Sequence, residues 1–275
     1  MYKQTNRRFR EYDLNFIENE VQGEVTILCL HGQGDFVQRY RNWFELFDEQ
    51  GLHFIGFDWH GHGLSSGARG DLVNEDVIFS LFQWLENEVL FSSRQFALFG
   101  HSMGGMMGLY WLYFAKRGLL RTPEFTILNS PLLHPRHRVN ALKYFALRTL
   151  SLWVSELAIS TGIDPSFCVH DVAKLAENPD HVSLFHDQVS LRWGLAMTRI
   201  AEAIKSETLL ELPRRAFVSQ GTADRITPEQ FCLNYLATHP SSTDITYLSL
   251  EGARHEPWME DGYMKRIATA LKKWL

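Results

Sequence analysis

The chain has 275 residues, of which 45% are hydrophobic and 21% charged, and a formal net charge of −5. That composition suits a globular protein with one sizeable core, and the acidic balance offers no basic surface for the phosphates of nucleic acid. The three cysteines, Cys29, Cys168 and Cys232, have no metal-like spacing, and the start MYKQTNRRFREYD lacks the apolar stretch of a signal peptide, so the expected location is cytoplasmic or peripheral to a membrane.

In chain order, residues 7–22 alternate apolar and polar side chains and read as an antiparallel hairpin at a sheet edge. A continuous apolar strand follows at 25–30 and ends in the loop HGQGDF. A helical pattern at 38–50, a strand at 53–57 ending in DWHGHG, and a helical pattern at 74–91 come next. The apolar run 95–99 leads through FGHSMGG into a helical stretch at 103–117, with Gly118 as its stop signal, and 125–128 is the sixth strand. From Pro131 to about Lys205 only helical patterns appear, among them one at 141–159 and one at 181–204. Strands at 216–218 and 245–250 then alternate with helices at 228–238 and 260–275. Near-continuous apolar strands separated by helices predict an α/β chain whose mostly parallel central sheet is covered by helices on both faces. The strandless segment predicts a helical cap, 131–205, inserted after the sixth strand, with 1–130 and 206–275 forming the core.

In such sheets chemistry collects in the loops beyond the carboxyl ends of the strands. Gly100-His101-Ser102-Met103-Gly104 has the G-x-S-x-G spacing of a nucleophile elbow, in which a strand reverses into a helix and pushes the serine hydroxyl out of the fold. A serine hydroxyl needs a neighbouring base, and of the 12 histidines His255, in EGARHEPW after the last strand, lies at the same sheet edge. Asp224, in QGTADRITP after the penultimate strand, supplies the carboxylate that fixes the imidazole, in the order Ser, Asp, His. The negative oxygen of the tetrahedral intermediate calls for backbone donors, expected from Met103 at the helix start and from Gln33 between two glycines of HGQG. His60 and His62 lack accompanying ligands, so neither metal nor cofactor is expected. The histidines at 134, 137, 170, 181 and 186 read as surface or packing residues.

The blocks LCLHGQGDFVQRY, GFDWHGHGLSSGARG, LFGHSMGG, LNSPLL, QGTADRITP and EGARHEPW resemble the α/β-hydrolases grouped as monoacylglycerol lipase-like or lysophospholipase-like serine hydrolases. The resemblance covers roughly residues 24–275 and is loose across the cap, where TGIDPSF, DVAKLAENPD and VSLRWG match. It implies the α/β-hydrolase fold, a serine esterase acting on lipids with one acyl chain, no cofactor, and oxyanion donors at Gln33 and Met103. The chain departs from the family by carrying glutamine in HGQG, where a smaller or apolar side chain is expected. The expected partners are an ester or lipid substrate and, through the cap, a transient membrane surface. The alternatives are a general carboxylesterase or thioesterase, a peptidase of the same fold, and a non-catalytic small-molecule-binding protein. Against the peptidase, no acidic cluster in the cap is evidently placed to hold an amine.

Overall fold

The computed structural model describes residues 2–133, 149–151, 153–176, 183–205, 207, 211, 215–238 and 244–275. Its strands are β1 (Tyr2–Phe9), β2 (Tyr12–Asn19), β3 (Val25–Leu30), β4 (His53–Phe57), β5 (Gln95–His101), β6 (Phe125–Asn129), β7 (Ala158–Ser160), β8 (Gln188–Ser190), β9 (Arg215–Gly221) and β10 (Asp244–Leu250). The longer helices are α1 (Arg41–Glu49), α2 (Glu75–Trp84), α3 (Met103–Ala115), α4 (Leu191–Lys205), α5 (Glu229–Ala237) and α6 (Asp261–Trp274).

Eight strands form one sheet in the order β1-β2-β4-β3-β5-β6-β9-β10. The β1–β2 hairpin joins β4 antiparallel, and from β4 to β10 every pairing is parallel. The alternation within β3 shows why its sequence is apolar throughout. Ile27 and Cys29 enter the core layer with Trp43, Phe99 and Trp258 beneath α1 and α6. Leu28 and Leu30 enter the opposite layer with Leu81, Met106 and Trp193 beneath α2, α3 and α4. Parallel pairing leaves no face for water, so both sets of side chains must be hydrophobic.

Between β6 and β9 the chain leaves the sheet. Of the expected helix 141–159, residues 141–148 and 152 lie outside the described residues; 149–151 and 153–154 are helical, but Ala158–Ser160 is a strand. The pattern at 181–204 is likewise split, with β8 preceding α4. β7 and β8 form an antiparallel ribbon extended by the Thr161 N–H donating to Asp187 O at 2.6 Å. Backbone pairing with the ribbon and with core loops replaces helical bonding there: the Ser190 N–H donates to Gly70 O at 3.1 Å, and a Cβ on Gly70 would stand 2.1 Å from Gln188 O. Beside it Asp71 accepts from Ser190 Oγ at 2.7 Å and from Arg192 Nε at 3.0 Å. α4 then packs against α3.

The crossing of β5 into α3 tolerates no side chain at Gly104, whose Cβ would lie 1.9 Å from Leu30 O, whereas at Gly108, one turn later, the nearest atom would be Leu128 Cδ2 at 3.7 Å. Gly104→Ala is therefore expected to cost about 3 kcal/mol or more, and Gly108→Ala to be neutral or stabilising by up to about 1 kcal/mol. Thermal unfolding of the two variants checks this, with Gly104→Ala melting at least about 6 °C below wild type.

Candidate active site

β5 ends at His101 and α3 begins at Met103, so Ser102 alone makes the reversal, at φ 52° and ψ −117°. For a residue with a Cβ that conformation costs on the order of 1–3 kcal/mol, and the surroundings hold it in place. The Ser102 N–H donates to Asn129 O at 3.1 Å, and Ser102 O accepts from the Met106 and Leu132 N–H groups at 3.1 and 2.9 Å. The nearby His101 ring is buried with Nδ1 3.1 Å from both Asn129 O and Asn129 Oδ1, which makes Nδ1 the donor. Burial, then the proximity of His255, holds His101 well below the usual histidine range, so it stays neutral.

Asp224 follows β9 and His255 follows β10, at the same edge of the sheet as Ser102. His255 Nδ1 lies 2.7 Å from Asp224 Oδ2. That oxygen also accepts from Gln220 Nε2 at 2.9 Å and Thr227 Oγ1 at 2.8 Å, while Oδ1 accepts from the Ile226 and Thr227 N–H groups at 2.8 and 2.9 Å. Burial alone would raise the Asp224 carboxyl, but His255 and these donors outweigh it and hold the group below the usual carboxylate range. Burial would lower His255, but the Asp224 charge outweighs it and raises the imidazole above its ordinary value. A carboxylate that prefers to stay charged thus holds an imidazole poised to take a proton.

The structure brings Ser102, His255 and Gln33 to the wall of one cavity of about 50 Å³, with Asp224 behind His255. Met103 is buried at the first position of α3, where a backbone N–H has no partner within the helix. Gln33 is followed by Gly34 at φ 73° in a loop over the same edge. The roof comes from the segment between β6 and β9: Thr161, Ile163, Cys168, Phe185, His186 and Asp187. His186 therefore lines the cavity besides acting as the packing residue expected. It packs on His62 with ring centroids 4.8 Å apart, and burial pushes its pKa down to about 4. Asp187 adds an acidic residue where none was evident in the sequence, and Ser160 Oγ donates to its carboxylate at 2.5 Å. His134, His137 and His181 lie outside the described residues, and His170 is exposed with Nδ1 2.9 Å from Glu260 Oε1.

Sequence reasoning missed a buried ionic cluster beside the site. Arg39 Nη1 donates to Asp35 Oδ1 at 2.8 Å, Arg39 Nη2 donates to Glu256 Oε2 at 2.5 Å, and Tyr40 OH donates to Asp35 Oδ2 at 2.7 Å. Burial would raise Asp35, yet the Arg39 guanidinium holds it below the usual carboxylate range. The cluster ties the loop carrying Gln33 to the loop carrying His255. The i, i+4 spacing of Asp35 and Arg39 is a usable signal, but nothing local marks Glu256 as their partner. His60 and His62 are both buried, burial holds both below the usual histidine range, and no group of three or more His, Cys, Asp or Glu side chains able to hold a metal ion occurs among the described residues.

Residues 22–262 match the family described as Serine aminopeptidase, S33. Phospholipase YtpA of Bacillus subtilis is 28% identical over 243 residues, covering 86% of this chain and 89% of the relative. An uncharacterized abhydrolase domain-containing protein of Dictyostelium discoideum is 27% identical over 260 residues, covering 93% of this chain, which spans only 27% of that relative's length. A crystal structure of monoacylglycerol lipase from Paleococcus ferrophilus superposes with a TM-score of 0.79 at 23% identity, over 96% of this chain and 98% of the other. With the parallel sheet, the strand-to-helix reversal at Ser102 and the family match over most of its length, the chain belongs to the S33 family of α/β-hydrolases.

Proposed function

We propose that the protein is a serine hydrolase of carboxylic esters that works through an acyl-enzyme on Ser102. The observation that carries this reading is the buried His255–Asp224 pair, 2.7 Å apart, on the cavity that also exposes Ser102. In the first half-reaction His255 Nε2 takes the proton of Ser102 Oγ as the oxygen attacks the ester carbonyl. The resulting oxyanion is met by the N–H groups of Gln33 and Met103, the latter at the positive end of α3. His255 gives the proton to the departing alcohol, then activates water to release the acid. Asp224 stabilises the imidazolium throughout without being protonated itself. No step calls on a metal or cofactor.

The substrate class is a lipid with a single acyl chain, a monoacylglycerol or lysophospholipid. The relation to a phospholipase supports this, as does the face that the segment between β6 and β9 turns outward. Leu150, Trp153, Val154 and Leu157 recur at 3- and 4-residue spacing and are exposed, Trp153 at 84%. We assign residues 131–205 as a cap whose apolar outer face makes transient contact with a lipid surface. No described helix is long and apolar enough to cross a membrane. A cavity of about 50 Å³ is too small for a long acyl chain, so this reading requires the roof of Thr161, Ile163 and Phe185 to lift. The same small cavity favours, as a second reading, a general esterase of short acyl groups.

Labelling with a fluorophosphonate and turnover of nitrophenyl esters test the central assignment. Ser102→Ala should fold as wild type, fail to label, and keep only the residual rate left when a triad nucleophile is removed, about 10³–10⁴-fold over water. Wild-type-like turnover in that variant overturns the assignment.

The pH profile follows from the direction of the His255 shift. The imidazole must be neutral to act as base, and its pKa is raised, so the acid limb of log kcat/KM should fall at an apparent pKa above about 6.5. Asp224→Asn removes the stabilising charge, moving the limb to lower pH and reducing kcat by about 10⁴.

Chain length separates the two substrate readings. For a single-chain lipid each buried methylene adds about 0.8 kcal/mol, so kcat/KM should climb severalfold per carbon until the site is full. Replacing Leu150 and Trp153 with serine should lower turnover of long-chain esters presented in vesicles well below that of butyrate esters in solution. Equal effects on both would leave the short-ester reading.

A further inference from the structure

The glutamine that departs from the family pattern is gripped by the segment above it. Gln33 Nε2 donates to Gln188 O at 2.9 Å, and Gln33 Oε1 accepts from Trp193 Nε1 at 2.9 Å. One residue on, Gly34 O accepts from the His186 N–H at 2.9 Å, and a Cβ on Gly34 would stand 1.9 Å from His186 O. Three hydrogen bonds from residues 186–193 therefore end on two consecutive residues of the oxyanion loop. Glycines flank Gln33 on both sides, and a peptide plane beside glycine has little torsional stiffness of its own. Neighbouring atoms in the loop are fixed by the core: the Gly32 N–H donates to Tyr40 OH at 3.3 Å, and Asp35 is locked to Arg39. For Gln33 itself, the bonds named above come from the overlying segment. Trp193 is a firm anchor, wholly buried in the core layer that contains Met103.

We propose that Gln33 is a positioning residue whose side-chain amide, held by Gln188 and Trp193, aims its own backbone N–H at the oxyanion, so that the hole is complete only while residues 186–193 sit on the core. This rests on the reading of Gln33 as an oxyanion donor. An oxyanion donor contributes only if its N–H lies about 2.7–3.1 Å from the developing charge, so a loop free to rotate loses catalysis without losing substrate. The side chain thus couples seating of the overlying segment to catalysis.

The test compares wild type with Gln33→Met, Trp193→Phe and the double variant on p-nitrophenyl acetate, a substrate without a long acyl chain. Gln33→Met keeps the length of the side chain and removes both bonds. Trp193→Phe keeps an aromatic ring and removes one bond from the other side. Each single variant should lower kcat about tenfold or more with KM within twofold of wild type. A boronic acid that forms a tetrahedral adduct with the serine should lose affinity in parallel. Because the two side chains share one bond, the double variant should be no slower than the slower single variant. Gln33 is only half-buried, so Gln33→Met should fold even if Trp193→Phe does not. Folded Gln33→Met with kcat within twofold of wild type, or losses that multiply in the double variant, overturns the proposal. If wild type neither turns over the acetate nor labels with a fluorophosphonate, the hydrolase reading itself fails. An active wild type matched by its variants refutes only the role of Gln33.

Discussion

Between His101 and Met103 the backbone has one residue in which to leave a strand and enter a helix, and it does so with Ser102 in the left-handed region. That turn is possible because glycines stand where side chains would collide: a Cβ on Gly100 would meet Gly104 O at 2.4 Å, and one on Gly104 would meet Leu30 O at 1.9 Å. The close approach seats α3 against β3 and β5, and with it the first N–H groups of α3 beside the serine. The same turn presents the Ser102 hydroxyl to the cavity and brings up a helix N-terminus beside it. Strain at one residue is held by hydrogen bonds to Asn129, Met106 and Leu132, so the local cost is spread over three elements.

Charge is handled in two different ways beside that turn. Asp224 is surrounded by donors and remains ionised behind His255, which keeps the imidazole basic where burial alone would make it less so. Asp35, Arg39 and Glu256 form a compact ion cluster in which one cation serves two carboxylates. Such buried pairs contribute little net stability against apolar packing of the same volume, but removing one partner strands a charge. Their effect here is to fix geometry, joining the loop after β3 to the loop after β10.

Over this edge lies a segment held both by apolar packing, as of Val189 and Trp193 in the core, and by polar contacts. Arg192 and Ser190 converge on Asp71, the Glu256 N–H donates to Cys168 O at 2.9 Å, and Arg254 Nη1 donates to Ser166 O and Val169 O, each at 2.7 Å. The cavity that the segment lines with Gln33, Ser102 and His255 has a volume of about 50 Å³.

The sequence by itself determined the strand and helix order, because in a two-sided parallel sheet each strand must be apolar on both faces and each covering helix must show a one-sided period. It also pointed to Ser102, Asp224 and His255, since each sits in a short polar loop directly after an apolar run, and chain position after a strand is enough to place a residue at the active edge. Tertiary structure decided what depends on partners far apart in the chain. Glu256 meets Arg39 across 217 positions, and Gln33 meets Trp193 across 160. Neither residue carries a local signal of its mate. It also decided the break of the 181–204 pattern into β8 and α4, because a helical period cannot announce that Gly70 and Gly34 leave room for a backbone to dock. Local periodicity reports which face a residue turns inward; only the folded chain shows what it meets there.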